Sequence, residues 1–179
     1  MRKKIIGITA ISVIIIILIV LAVVIKKTPK TGDTSSSVNS SETVTYKMFE
    51  FDKKNLSEVN VKNKTATFSL VRKTTDENSL FVLKGKENIP LDTSSANGIT
   101  AYLYNLNSTS LISEDETKLK DYGLDSPVIT VNIKLKDGTE YNLYIGDAAP
   151  TGGYYANTSL SKTVYVLQNY LVTPYFKTG

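Results

Sequence analysis

The sequence has no cysteine and no histidine. Disulfide staples, thiolate nucleophiles, imidazole bases and the usual zinc ligands are therefore excluded together. Acyl transfer would then need a Ser-Lys dyad, and glycoside cleavage two carboxylates held roughly 5 to 10 Å apart; no spacing in the chain marks either pair. Tryptophan is absent too, so an aromatic binding platform would have to be built from the 11 tyrosines. Acidic residues are missing before Asp33, whereas Arg2, Lys3, Lys4, Lys26, Lys27 and Lys30 supply six of the 21 basic ones. The remainder carries 15 basic and 17 acidic residues. The formal charge of +4 thus belongs to the amino-terminal segment, and the rest has no electrostatic reason to seek nucleic acid.

Those amino-terminal basic residues flank Ile5 to Ile25, IIGITAISVIIIILIVLAVVI, 21 residues without a charge. At the helical rise this run spans about 30 Å, the thickness of a bilayer's hydrocarbon core. It ends in LAVVIKK, which offers no small-x-small cleavage site, and lipoprotein processing would need a cysteine. The pattern predicts a transmembrane signal anchor over residues 5–25 that has the lipid bilayer as its partner. The flanks MRKK and KKTPK are nearly balanced under the positive-inside rule. The very short tail 1–4 and the long polar remainder favour the tail in the cytoplasm and the domain outside it, in a single-pass protein of the cell membrane. Residues 26–43, rich in Ser and Thr, read as a flexible tether. Residues 44–179 read as the extracytoplasmic α+β domain, long enough for one core of their own.

Within that domain, Val44 to Phe51, Leu56 to Val61, Thr65 to Val71 and Leu80 to Leu83 are short β-branched or aromatic segments, predicting successive strands. The period then changes. Ala96, Ile99, Leu103 and Leu106 recur at spacings of three and four after Asp92 or Thr93, predicting an amphipathic helix over Thr93 to Leu106 despite Gly98. Ser113 followed by Glu116 reads as a capping box opening a second helix. Gly123 as C′ with Leu124 over Leu119 reads as the Schellman motif closing it. A calcium loop through Asp115, Asp121 and Asp125 lacks the twelve-residue ligand pattern. In Val128 to Gly146 a three-residue loop, Lys136 to Gly138, would set Leu135 opposite Thr139. That register gathers Ile129, Val131, Ile133, Tyr141, Leu143 and Ile145 on one face, and a one-residue slip would mix the faces.

The stretch GDAAPTGGYY, Gly146 to Tyr155, raises the question of a phosphate loop. Such a loop needs a Lys-Ser or Lys-Thr pair and a helix amino terminus facing the anion. The following residues, YYANTSLSKTVYVL, are strand-like instead, so Pro150, Gly152 and Gly153 predict a turn between antiparallel strands. NYLVTPYFKTG predicts a short helix interrupted by Pro174.

NIPLD at Asn88 to Asp92, DYGLDSP at Asp121 to Pro127, ITVNIKLKDGTEYNLYIGD at Ile129 to Asp147, and PTGGYYA followed by TVYVL resemble the bacterial domain-of-unknown-function family numbered 4340. The resemblance runs from about Leu56 to Leu167 and lies in the order and spacing of these motifs. It implies a membrane-anchored extracytoplasmic α+β domain, an antiparallel sheet of short strands and hairpins packed with one or two amphipathic helices. It also implies association with ABC-type transport complexes, and no catalytic residue to carry over. Where relatives place a tryptophan, SLFVLKG has Phe81, and the carboxyl end stops soon after Pro174, as in a minimal or truncated member. The expectation is a non-enzymatic accessory or interaction domain of the cell envelope without cofactor or metal. The alternative is a cell-wall glycan-binding module using Tyr144, Tyr154 and Tyr155 around one turn.

Overall fold

The computed structural model of the chain describes residues 44–177 apart from 75, 77 and 78. Among them run ten strands: β1 (Tyr46–Glu50), β2 (Leu56–Lys62), β3 (Thr67–Arg72), β4 (Phe81–Leu83), β5 (Asn105–Ser108), β6 (Leu111–Ser113), β7 (Ile129–Leu135), β8 (Glu140–Ala148), β9 (Tyr154–Thr158) and β10 (Ser161–Leu167). The helices are α1 (Thr93–Thr100) and α2 (Asn169–Val172), with 3-10 helices at Lys53–Asn55, Glu116–Tyr122 and Thr173–Phe176. This is the expected antiparallel, sheet-rich α+β class. The predicted tail, anchor and tether at 1–43 lie outside the described residues. Among the described residues no helix is long and apolar enough to cross a membrane.

The β7–β8 hairpin has the register that its alternation demands. Leu135 N–H donates to Thr139 O at 2.9 Å, Gly138 takes the left-handed conformation (φ 88°), and Ile129, Val131 and Ile133 face Ile145, Leu143 and Tyr141. Because this hairpin buries one face, with only Tyr141 half-buried, neighbours must match it. β2 does so by pairing Val59 with Ile133 and Val61 with Val131, and β3 follows with Leu70 and Phe68 opposite Val59 and Val61. The result is an eight-stranded sheet in the order β4-β3-β2-β7-β8-β9-β10-β6, every pairing antiparallel, beside a separate β1–β5 ribbon. Ala96, Ile99 and Leu103, Met48, Phe49 and Leu106 of the ribbon, and Leu171, Val172 and Tyr175 complete the core with the sheet's inner face. Each such side chain removed from water contributes about 1.5–3 kcal/mol.

Two elements differ from the sequence expectation. The helix predicted over Thr93 to Leu106 stops at Thr100, and Leu106 belongs to β5, opposite Phe49. Ser, Asn, Gly and Thr make this a weak helix former, and its start depends on Asp92, which accepts from Ser94 and Ser95 N–H at 3.2 and 2.9 Å. The three-residue spacing of Leu103 and Leu106 was real as burial, but a turn leading into a strand produces it. The second predicted helix is 3-10 rather than α, and its cap is Asp115, which accepts from Thr117 N–H at 3.0 Å. Ser113 ends β6 and accepts from Asp115 N–H at 3.1 Å, so no capping box forms with Glu116. The closing motif is as expected: Leu124 N–H reaches Leu119 O at 2.9 Å, Gly123 N–H reaches Lys120 O at 3.1 Å, and Gly123 is left-handed (φ 68°). At the carboxyl end α2 gives way to a 3-10 turn at Pro174, and the buried Tyr175 hydroxyl donates to Ile99 O at 3.2 Å.

Candidate functional site

Two parts of the surface invite a functional reading. The first is a groove beside the edge strand β4, built around Arg72 at the end of β3. The Arg72 guanidinium donates to the carbonyls of Leu56 (2.6 Å), Lys53 (3.0 Å) and Ser79 (3.1 Å), and lies 4.8 Å from the centroid of the Phe81 ring. It thereby fixes the Lys53–Asn55 turn and the start of β4 to β3. A planar fork with five donors suits this task in a way that a lysine would not. After β4 the chain turns at Gly85 (φ 79°), where Glu87 accepts the Gly85 N–H at 2.7 Å, and passes through Asn88 to Leu91 into α1. Between β4, this loop and α1 lies a groove of about 620 Å³, within the usual range of ligand sites. Leu80, Phe81, Ile89, Pro90 and Leu91 line it with apolar surface, and Lys53, Arg72, Lys73, Glu87, Asn88, Thr93 and Asn97 supply polar groups. Leu80 and Ile89 are 60% and 57% exposed, large for apolar side chains.

The ionisable groups show what the groove can do. Hydrogen bonding to the Gly85 N–H holds the Glu87 carboxyl below the usual range. At the head of α1, hydrogen bonds from Ser95 do the same for Asp92. Both are ionised acceptors near neutral pH rather than proton donors. The arrangement suits recognition of an apolar segment with polar attachments.

The second part is where the family-like motifs meet. Gly146 is buried beneath the end of the Glu116–Tyr122 helix, where an added Cβ would fall well under 3.0 Å from Tyr122 O, and a Cβ on Gly123 would meet the Asp147 carboxylate at 2.7–2.8 Å. Thus DYGLD and IGD are two halves of one backbone contact, sealed by the Tyr122 and Tyr155 rings with centroids 4.8 Å apart. GDAAPTGGYY is a turn between antiparallel strands, as its sequence predicts. Ala149 N–H donates to Gly153 O at 3.0 Å, Gly152 N–H to Ala149 O at 2.9 Å, and both glycines are left-handed. A Cβ on Gly153 would also clash with Leu167 O.

The three candidate tyrosines do not share one platform. Tyr154 and Tyr155 are consecutive in β9 and so point to opposite faces. Tyr154 packs toward the core beside Phe176, with centroids 5.3 Å apart, whereas Tyr155 lies on the other face against Tyr122. Tyr144 pairs with Asn157, placing it on the Tyr155 side, with Lys162 Nζ 5.9 Å from its centroid. Asn157 is 1% exposed, and its Oδ1 has no hydrogen-bond partner. Asp115, Asp121 and Asp125 gather no metal site, for among the described residues no three acidic groups do so.

With this geometry in view, the sequence profile of the family described as "Domain of unknown function (DUF4340)" matches residues 82–177, more than half of the chain. The chain belongs to the DUF4340 family. No curated protein and no solved structure matches it. The DUF4340 match begins in β4 and takes in the loop and helix sides of the groove, the two-glycine contact and the carboxyl-terminal turns. The Arg72 side of the groove lies outside the match. Sequence reading singled out NIPLD but not the groove, since Arg72 and Lys53 come from segments joined only by folding. An arginine beside aromatic and apolar strand residues was the one signal available.

Proposed function

We propose that this DUF4340 domain is a non-enzymatic interaction module of the cell envelope, held outside the membrane by the Ile5–Ile25 anchor and the 26–43 tether. Its groove beside β4 receives a segment of a protein partner. The observation that supports the reading most is the groove itself, in which exposed Leu80 and Ile89 lie among polar groups beside the short edge strand β4. An edge strand offers unpaired backbone groups to an extended chain, and alternate side chains of that chain can enter the groove. The ABC-type complex implied by the family resemblance is the partner class to test first. A photo-crosslinking residue placed at Leu80 or Ile89 of the full-length protein in intact cells should capture the same envelope protein. The same residue at Lys120, away from the groove, should not. Equal yields from all three positions, or recovery of the full chain from the soluble fraction, would refute the reading.

A further inference from the structure

Residues 93–113 and 163–176 contain no charged side chain, although 21% of the whole chain is charged, a share that would place about seven charges in these 35 positions. Burial explains part of the depletion, since Leu103, Leu106, Val164, Val166 and Val172 belong to the interior. It does not explain Tyr102, Leu111, Ile112 and Tyr170, which stand between 36% and 61% exposed. Elsewhere the exposed positions of the domain carry lysine and glutamate, as at Lys84, Lys134 and Glu140.

Folding joins the two stretches. The edge strand β6 pairs with β10, Leu111 opposite Tyr165. Val166 N–H donates to Ser110 O at 3.0 Å, and Ser108 Oγ donates to Val166 O at 2.8 Å. Beyond β10, Tyr170 of α2 meets Tyr102 edge to face with centroids 5.6 Å apart, and Tyr46 of β1 packs on Tyr165 at 6.1 Å. The charges that end the stretches are engaged elsewhere or stand outside. Asp92 caps α1, Lys177 donates to Ser95 Oγ at 2.8 Å, and Lys162 reaches over the Tyr144 ring on the sheet's outer face. Glu114 stands beyond β6, before Asp115, which pairs with Lys118 at 3.7 Å. On the β1 side Lys47 pairs with Glu50, and Lys53 lies over the Tyr104 ring. The surface between is tyrosine, leucine and isoleucine among neutral amides and hydroxyls.

Depletion of charge with enrichment in tyrosine is the composition of a contact surface, and two observations select lipid as its occupant. Amphipathic tyrosine rings beside leucine and isoleucine, without lysine, match the boundary between headgroups and acyl chains. The chain outside the described residues also ends here: 43 residues that include the uncharged run Ile5–Ile25 lead into Val44, and Tyr46 already packs within the surface. A Ser/Thr-rich chain of the length of 26–43 reaches about 20–25 Å end to end, which keeps a bilayer accessible to this side of the domain. We propose that this surface docks on a lipid bilayer, with the Tyr102 and Tyr170 rings at headgroup level and Leu111 and Ile112 towards the acyl chains. Attachment is then apolar rather than electrostatic. The inference rests on the anchor of the proposed function but uses none of the groove.

Because the chain has no cysteine, a nitroxide can be placed on one residue at a time, through Ile112→Cys, Tyr170→Cys or Lys134→Cys in the full-length protein reconstituted in phosphatidylcholine vesicles. Collisions with lipid-soluble oxygen and with a water-soluble nickel chelate are then compared by electron paramagnetic resonance. The labels at 112 and 170 should favour oxygen, equally at low and high salt, and the label at 134 should favour nickel. Adding Leu111→Glu should abolish the oxygen preference at 112 with the thermal midpoint little changed. A floating protein whose labels all favour nickel, a preference lost in high salt, or one that survives Leu111→Glu would overturn the docking and leave the anchor standing. Spin–spin broadening at 112 or 170 would overturn it by seating a second copy on the surface. Failure of the full chain to float with the vesicles would remove the anchor and the docking together.

Discussion

Replacing Gly146 by alanine should cost far more than its backbone conformation implies, because the position is closed by another segment's main chain. A Cβ there would lie well under 3.0 Å from Tyr122 O, 3.0 Å from Gly123 C and 3.2 Å from Gly123 O. These atoms cannot rotate aside, since the Schellman hydrogen bonds of Gly123 and Leu124 hold them. The methyl group fits only if Tyr122 to Leu124 lifts from β8. That movement exposes Leu124, now 7% exposed, at about 1.5–3 kcal/mol, and parts the Tyr122 and Tyr155 rings at about 0.5–1.5 kcal/mol. The expected loss is therefore about 2–4.5 kcal/mol, a large share of a typical domain's stability. Gly138→Ala is the matched control: its φ of 88° is left-handed, but nothing lies within 4 Å of the added Cβ. Only the conformational penalty of about 1–2 kcal/mol applies there. Urea unfolding of residues 44–179, read as a shift in midpoint at constant slope, compares the two. If Gly146→Ala proves no more costly than Gly138→Ala, the packing argument for the two-glycine contact fails.

Burial pushes the Tyr175 phenol above its ordinary value, so the unfolded chain ionises first and stability, complete below about pH 10, declines as pH rises further. Tyr175→Phe should lose about 1 kcal/mol at neutral pH with the Ile99 hydrogen bond, yet fall less steeply in alkali; parallel urea-midpoint curves would contradict this. Asp92, Asp115, Asp137 and Glu87 are held below the carboxylate range by hydrogen bonds from Ser95, Thr117, Thr139 and Gly85 respectively. Their contribution is present above about pH 4 and lost as pH falls through the lower folded values, so the calorimetric midpoint should drop in acid, and Asp92→Asn should flatten that drop. Asn157→Val removes a buried acceptor without a partner and inserts a residue preferred in strands. It should raise stability by about 1 kcal/mol, and a clear loss in urea unfolding would show that the amide is satisfied.

Much of the fold was legible wherever one short stretch contains its own constraint. The β7–β8 register follows from Lys136 to Gly138 and the alternation on either side, and the Gly123–Leu124 ending follows from residues within one turn. The glycine-rich turn was legible because its neighbours are strand-like. The reading failed where apolar spacing had two solutions. Leu103 and Leu106 are buried at the predicted interval, but Phe49 and the β1 backbone, distant in sequence, offered a strand partnership that a weak helix former could not resist.

The sequence by itself determined the inventory of chemistry: no thiol or imidazole, a positive excess confined to the amino-terminal segment, an uncharged run of 21 residues, and strands whose faces are set by alternation. Only the tertiary structure decided which of these residues meet. Arg72 joins the carbonyls of Lys53 and Leu56 in one turn to that of Ser79 in another segment, Gly146 receives the backbone of Tyr122, and Asn60, Asn132 and Asn142 fall into one row because β2 pairs with β7, with 72 positions between Asn60 and Asn132. Local patterns fix which way a side chain faces, since that depends on neighbours one to four positions away. Long-range partners are chosen by the burial of whole faces, a property of many segments at once that no single stretch contains.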